Sequence, residues 1–160
     1  MLFRSRLIPP HAFAVYITPN PRSCKKAAVR IITELAEGLG EGRSFRLESL
    51  VKTQIHRSVS RKLYLDLDVD PAGADDWQTV VAKAKTILGE TPSHVVRTRG
   101  GAHVLVQTQQ LDKSVKRTFY KQLQELGKGM TGLLEVRGDA MVPIPGTVQG
   151  GATVRLEGRR

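Results

Sequence analysis

The chain has 160 residues, about one domain's worth, and its 40% hydrophobic and 25% charged residues are the proportions of a water-soluble globular protein. No apolar run approaches the ~20 residues of a membrane span, so no membrane role is expected. The single cysteine, Cys24, excludes an internal disulfide and a Cys-rich zinc site and favours a reducing cytoplasm. Twenty-five Lys and Arg against 15 Asp and Glu leave a net charge of +10, which points to a polyanionic partner, nucleic acid first.

In chain order, "HAFAVYIT" (residues 11–18) alternates Phe13, Val15 and Ile17 and predicts a strand that ends at "TPNP". A helix follows, with Ser23 as N-cap, Ala28, Ile31, Leu35 and Leu39 at helical spacing, and Gly38 and Gly40 as stop signals. The segment from Phe45 to Arg61 has no decisive period. "LYLDLDV" (residues 63–69) is a strand of alternating apolar and acidic residues. "ADDWQTVVAKAKTILG" predicts a helix that starts with acids, ends at Gly89 and turns Trp77, Val80, Val81, Ala84, Ile87 and Leu88 inward. Residues 93–107 read as a hairpin about Gly100 and Gly101, and residues 114–126 as a third helix facing Val115, Phe119, Leu123 and Leu126 inward. Short strands broken by Gly and Pro complete the chain. The mixture predicts an α+β fold with a mostly antiparallel sheet covered by helices on one face. It is expected to form a single domain over residues 1–160, with an N-terminal βα part (1–60) ahead of the chemistry-bearing part (61–160).

Three stretches carry chemistry. Alternation puts Asp66 and Asp68 about 7 Å apart on one side of a strand, where like charges repel unless a cation sits opposite. Carboxylate pairs of this kind suit divalent ions that handle phosphates, and a strand D-x-D can contribute to both ions of a two-metal site. Asp70 precedes Pro71 and reads as a turn residue. In "VRTRGGAHVLV", Gly100 and Gly101 let backbone approach a ligand closely, while Arg99 and His103 share strand parity with Gly101 and suit a triphosphate. The bland alternative is a tight hairpin with a surface histidine and solvated arginines. In "LLEVRGDAMVPIPGT", Glu135 and Arg137 share parity, and divide metal and phosphate duties or form a cross-strand ion pair.

These elements, in this order, resemble the archaeo-eukaryotic primase superfamily, and most closely its small plasmid- and phage-type primase-polymerase domains. The resemblance rests on "LYLDLD", "RGGAHVLV" and "LLEVR" followed by "PIPGT", and covers residues 60–150. It implies an RRM-like catalytic core in which Asp66, Asp68 and Glu135 bind two Mg²⁺ or Mn²⁺ ions. It further implies that His103, Arg99, Gly100, Gly101 and Arg137 face the incoming nucleotide, with Thr147 as a weaker nucleotide or strand contact. The implied activity is template-directed nucleotidyl transfer by a monomer, in which a single-stranded DNA template and NTP or dNTP make or extend primers, with a replicative helicase acting in trans. Two departures stand out: Glu135 replaces the frequent Asp, and Gly101 replaces the frequent Ser before x-His. Neither a zinc motif nor a fused helicase is present in the sequence, so extension is better supported than de novo priming.

Three other classes compete. A replication initiator or nicking endonuclease usually needs a His-x-His pair and a nucleophilic tyrosine, and His11, His56, His94 and His103 form no such pair. A non-enzymatic RNA-recognition module displays aromatics on its sheet, but aromatics are only 5% of this chain. A catalytically degenerate primase-like domain would keep the architecture without the turnover.

Overall fold

The computed structural model describes residues 14–71, 76–111, 113–128, 132–137 and 140–159. The elements are β1 (Tyr16–Ile17), α1 (Cys24–Gly40), α2 (Leu47–Arg57), β2 (Tyr64–Pro71), α3 (Trp77–Leu88), β3 (Ser93–Arg97), β4 (Ala102–Gln107), α4 (Phe119–Lys128), β5 (Gly132–Arg137), β6 (Val142–Pro143), β7 (Val148–Gln149), β8 (Ala152–Thr153) and β9 (Arg155–Arg159). The fold is α+β, with antiparallel sheets. Its chain divides into two compact units: residues Asn20–Lys62, and the described residues on either side of them.

The larger unit is built on a five-stranded sheet of order β5-β2-β4-β3-β9. Every pairing in it is antiparallel. The period-2 pattern sorts the side chains. Leu65, Leu67 and Val69 of β2, Val95 of β3, and Ala102, Val104 and Val106 of β4 share one face. On that face they bury against Val80, Val81, Ala84 and Leu88 of α3 and Leu123 of α4. Full burial of each such Leu or Val contributes about 1.5–3 kcal/mol, so this face supplies most of the unit's stability. The inward stripe read for α3 is the observed one, with Trp77 and Ile87 at its margin. Asp76 caps the helix by accepting the Gln78 N–H at 3.2 Å. On the opposite face, Val96, Val142 and Val154 are buried and Leu105 packs against them.

The smaller unit pairs α1 with α2, an α-helix within the segment that showed no decisive period. Ser23 caps α1, accepting the Lys26 N–H at 3.2 Å. The apolar residues at helical spacing in α1 are not its most buried ones. Its buried residues are Ala27 and Gly38, whereas Ala28 and Leu39 are exposed and Ile31 and Leu35 are half-buried. Gly38 is no stop signal either, since the helix runs through it. A Cβ there would lie 2.0 Å from Cζ of Phe45, so the glycine admits the ring.

The expected strand over residues 11–18 is described only from residue 14, where β1 pairs with β6. Phe13 and the acid-rich start of the α3 segment at 74–75 lie outside the described residues. The third helix begins at Phe119. None of the described helices is long and apolar enough to cross a membrane.

Candidate active site

The site grows from the register of three strands. Antiparallel pairing sets Asp68 opposite His103 of β4 on one side and opposite Glu135 of β5 on the other. Directly opposed residues share a face of the sheet, about 4.5–5.5 Å apart at Cβ. Asp66 pairs with Leu105 and with Arg137 in the next row. The three sequence motifs are thereby brought into two adjacent rows on the face away from the helices.

Side chains refine the picture. His103 Nδ1 lies 3.0 Å from Asp66 Oδ2 and 3.2 Å from Asp66 Oδ1, and 3.7 Å from Asp68 Oδ1. The Asp66 side chain is only 1% exposed, against 12% for His103 and 25% for Asp68, so Asp66 lies beneath the other two. With Asp66 ionised its carboxylate can only accept, and Nδ1 is then the donor of this contact. Leu105, from the apolar cluster on this face, is one of the two strand neighbours of Asp66, Arg137 being the other, and the burial of the Asp66 side chain strengthens the hydrogen bond.

Above the pair opens a cleft of about 500 Å³. One wall is the end of β2, with Asp68, Val69 and Asp70. A second is the β3–β4 turn, with Thr98, Arg99 and Gly100, and His103 beyond it. Gln149, the last residue of β7, and Gly150, in the turn to β8, form the third. Arg99 and His103 therefore line one cleft, although Arg99 belongs to the turn and not to a strand. Arg97 lies elsewhere: its guanidinium stacks over Trp77 at 5.9 Å and pairs with Glu157 at 3.8 Å.

Three expectations change. Asp70 is a β2 residue paired with Leu133, not a turn residue, and its side chain lines the cleft. Gly100 and Gly101 have an internal reason to be glycine. A Cβ at 101 would sit 1.9 Å from the Val69 carbonyl oxygen, and one at 100 would sit 2.7 Å from Asp70 Oδ1. Their small size admits β2, with Thr98 closing the turn through Gly101 O at 2.9 Å and Gly101 N at 3.1 Å. Thr147 is not among the cleft-lining residues; its Oγ1 donates to Ile144 O at 2.7 Å and closes a local turn.

Sequence reading overlooked Gln149. Its Oε1 accepts the Arg99 N–H at 3.3 Å and its Nε2 donates to the Tyr16 hydroxyl at 2.9 Å. Gly150, at φ +53°, leaves room for the Arg99 guanidinium, since a Cβ there would lie 2.7 Å from NH1.

Asp68 and Asp70 present hard oxygen donors to an open space, the donor type Mg²⁺ and Mn²⁺ take. Among the described residues, no group of three or more His, Cys, Asp or Glu is arranged as a metal shell. Chemically, the cleft offers carboxylates on one wall and an arginine and a histidine on the other. That combination suits an anion carried together with a divalent cation.

A scan against protein-family models finds no match, and searches of curated proteins and of solved structures find none either.

Proposed function

We propose that this protein is a metal-dependent nucleotidyltransferase of the primase-polymerase type, extending a strand on a single-stranded template from NTP or dNTP. The observation that carries the reading is the row Glu135–Asp68–His103 across three neighbouring strands, with Arg99 on the same cleft as Asp68 and His103. His103 and Glu135, 35 and 67 positions after Asp68 in the chain, are its direct neighbours on the two flanking strands, and this supports the reading. The net charge of +10 supports a polyanionic template.

On this reading Asp68 and Glu135 hold Mg²⁺ or Mn²⁺. When bound, the ions supply charge neutralisation on the triphosphate and activation of a 3′-hydroxyl. Arg99 and His103 bind phosphate oxygens and hold the chain of phosphates in line with the attacking oxygen. That oxygen bonds to the α-phosphorus as the bond to the β-phosphate oxygen breaks; pyrophosphate leaves and the hydroxyl proton passes to solvent. Gly100 and Gly101 shape the turn that carries Arg99. A replicative helicase acting in trans and a cytoplasmic setting belong to the same proposal.

The test is incorporation of labelled nucleotide into a primed template with Mg²⁺ or Mn²⁺, comparing the native protein with Asp68→Asn and Glu135→Gln. Metal-dependent incorporation that both variants lose supports the proposal. Native-like rates in the variants, or no incorporation by the native protein, overturn it.

A further inference from the structure

Asp66 differs from Asp68 in a way their shared D-x-D spacing conceals. Its carboxylate is 1% exposed and does not line the cleft, yet both of its oxygens stand within 3.2 Å of His103 Nδ1. Asp68 is a quarter exposed, does line the cleft, and approaches the same nitrogen only to 3.7 Å. A metal ligand has to present a lone pair to the space where the ion and its waters sit. An orienting carboxylate has to be buried and aimed at the ring nitrogen facing away from the substrate. Asp66 meets the second description.

We infer that Asp66 is the positioning residue of His103 and not a metal ligand, its buried carboxylate fixing the ring so that Nε2 is offered to a phosphate in the cleft. The role assigned to Nε2 rests on the nucleotide-binding reading above; the Asp66–His103 coupling does not. Buried carboxylates that hold an imidazole this way set its tautomer and ring angle, and behind metal-bound histidines the loss of such a partner typically costs about 10–100-fold. The strand uses adjacent same-face positions for different tasks: residue 66 supports the histidine from below, and residue 68 reaches the cleft.

The two roles make opposite predictions for a conservative change. An Asn carboxamide oxygen still accepts from Nδ1–H, but it is a poor substitute for a carboxylate on a divalent ion. Asp66→Asn is therefore expected to keep Mn²⁺ affinity and nucleoside triphosphate affinity within about threefold of native, whereas Asp68→Asn weakens Mn²⁺ binding about tenfold or more. Asp66→Ala is expected to weaken triphosphate binding as much as His103→Ala, and the double variant no further, because the two residues act as a unit. Mn²⁺ binding is read by electron paramagnetic resonance, and triphosphate binding by titration of a fluorescent nucleotide at saturating Mn²⁺.

A third readout is independent of any ligand. In ¹H–¹⁵N spectra of histidine-labelled protein, His103 Nδ1 is expected to carry a proton in the native protein and in Asp66→Asn, and to lose it in Asp66→Ala. Loss of Mn²⁺ binding in Asp66→Asn equal to that in Asp68→Asn overturns the inference. So do additive effects of Asp66→Ala and His103→Ala, or an Nδ1 signal indifferent to residue 66. A native protein that bound neither Mn²⁺ nor nucleotide would sink the enzymatic reading, while the nitrogen spectra still decide whether Asp66 positions His103. Should Asp66→Ala fail to fold, Asp66→Asn against Asp68→Asn decides by itself.

Discussion

The side-chain oxygen of Gln149 accepts the backbone N–H of Arg99 at 3.3 Å, tying the β7–β8 turn to the β3–β4 turn beside the cleft. The two residues are 50 positions apart in the chain. Because Gln149 is itself held by the Tyr16 hydroxyl at 2.9 Å, the tether is a short relay and not a chance surface contact. Gln149→Ala removes both bonds. A net worth of about 1 kcal/mol per hydrogen bond predicts a small loss of stability and a several-fold rise in nucleotide KM. Steady-state kinetics beside a thermal melt check this; an unchanged KM would detach Gln149 from the position of Arg99.

Gly101→Ala should be severe. The new methyl would meet backbone, the Val69 carbonyl oxygen at 1.9 Å, and backbone does not swing aside as a side chain does. Overpacking of this kind costs about 1–3 kcal/mol or more, so a lowered urea midpoint is expected. Gly100→Ala should be milder, because its obstacle at 2.7 Å is the Asp70 carboxylate, which can rotate. Equal destabilisation by the two variants would contradict the contact geometry.

Removing either base from the cleft should weaken nucleotide binding more than template binding. Arg99 and His103 border a cleft of about 500 Å³ beside the double-glycine turn, a volume in the range of small-molecule sites. Arg99→Ala and His103→Ala are each expected to raise nucleotide KM about tenfold, with oligonucleotide affinity within twofold of native. Loss of oligonucleotide affinity at unchanged KM would assign the cleft to the template instead.

Salt and metal should act on different ligands. With a net charge of +10, binding to single strands should weaken with monovalent salt at a log–log slope of about −0.7 per phosphate contact. Nucleotide binding should instead depend on Mg²⁺ or Mn²⁺, because Asp68 and Asp70 on the cleft wall repel a bare triphosphate. Titrating labelled oligonucleotide and labelled nucleotide, each with and without metal, separates the two effects. Metal-independent nucleotide affinity would mean that the acidic wall does not face the substrate.

The parts of this architecture that follow a simple period were legible in the sequence. The β2 alternation set the aspartates on one face, and the structure buries Leu65, Leu67 and Val69 on the other. The six-residue stripe of α3 named the surface that covers them. Register was partly legible too: parity grouped Glu135 with Arg137, but the pairing of Asp68 with both His103 and Glu135 required the sheet order. What escaped was of two kinds. Gln149 joined the cleft through a turn distant in the chain, and no local pattern marks a glutamine as a tether. The buried side of α1 escaped because Ala27 and Gly38 are small residues, Gly38 admitting the Phe45 ring, and hydropathy ranks Leu39 above both. The helix α2 lacks a side-chain N-cap at Arg46 and buries only Leu50 and Gln54, which left it without an end signal or a wide apolar stripe.

The contact between Gly101 and Val69 also bears on how this protein can change. A wall built from two backbones in contact admits one amino acid at position 101 and excludes the other nineteen, whatever their polarity. Facing it, the Gln149–Gly150 turn hangs on two side-chain hydrogen bonds and tolerates intermediates in which one is lost. In a library randomised over both walls, diversity among active clones would collect at position 149 while position 101, and Gly150 at its positive φ, returned glycine. Ligand preference in this fold would therefore evolve from the turn inward, with the β3–β4 hairpin as its invariant edge.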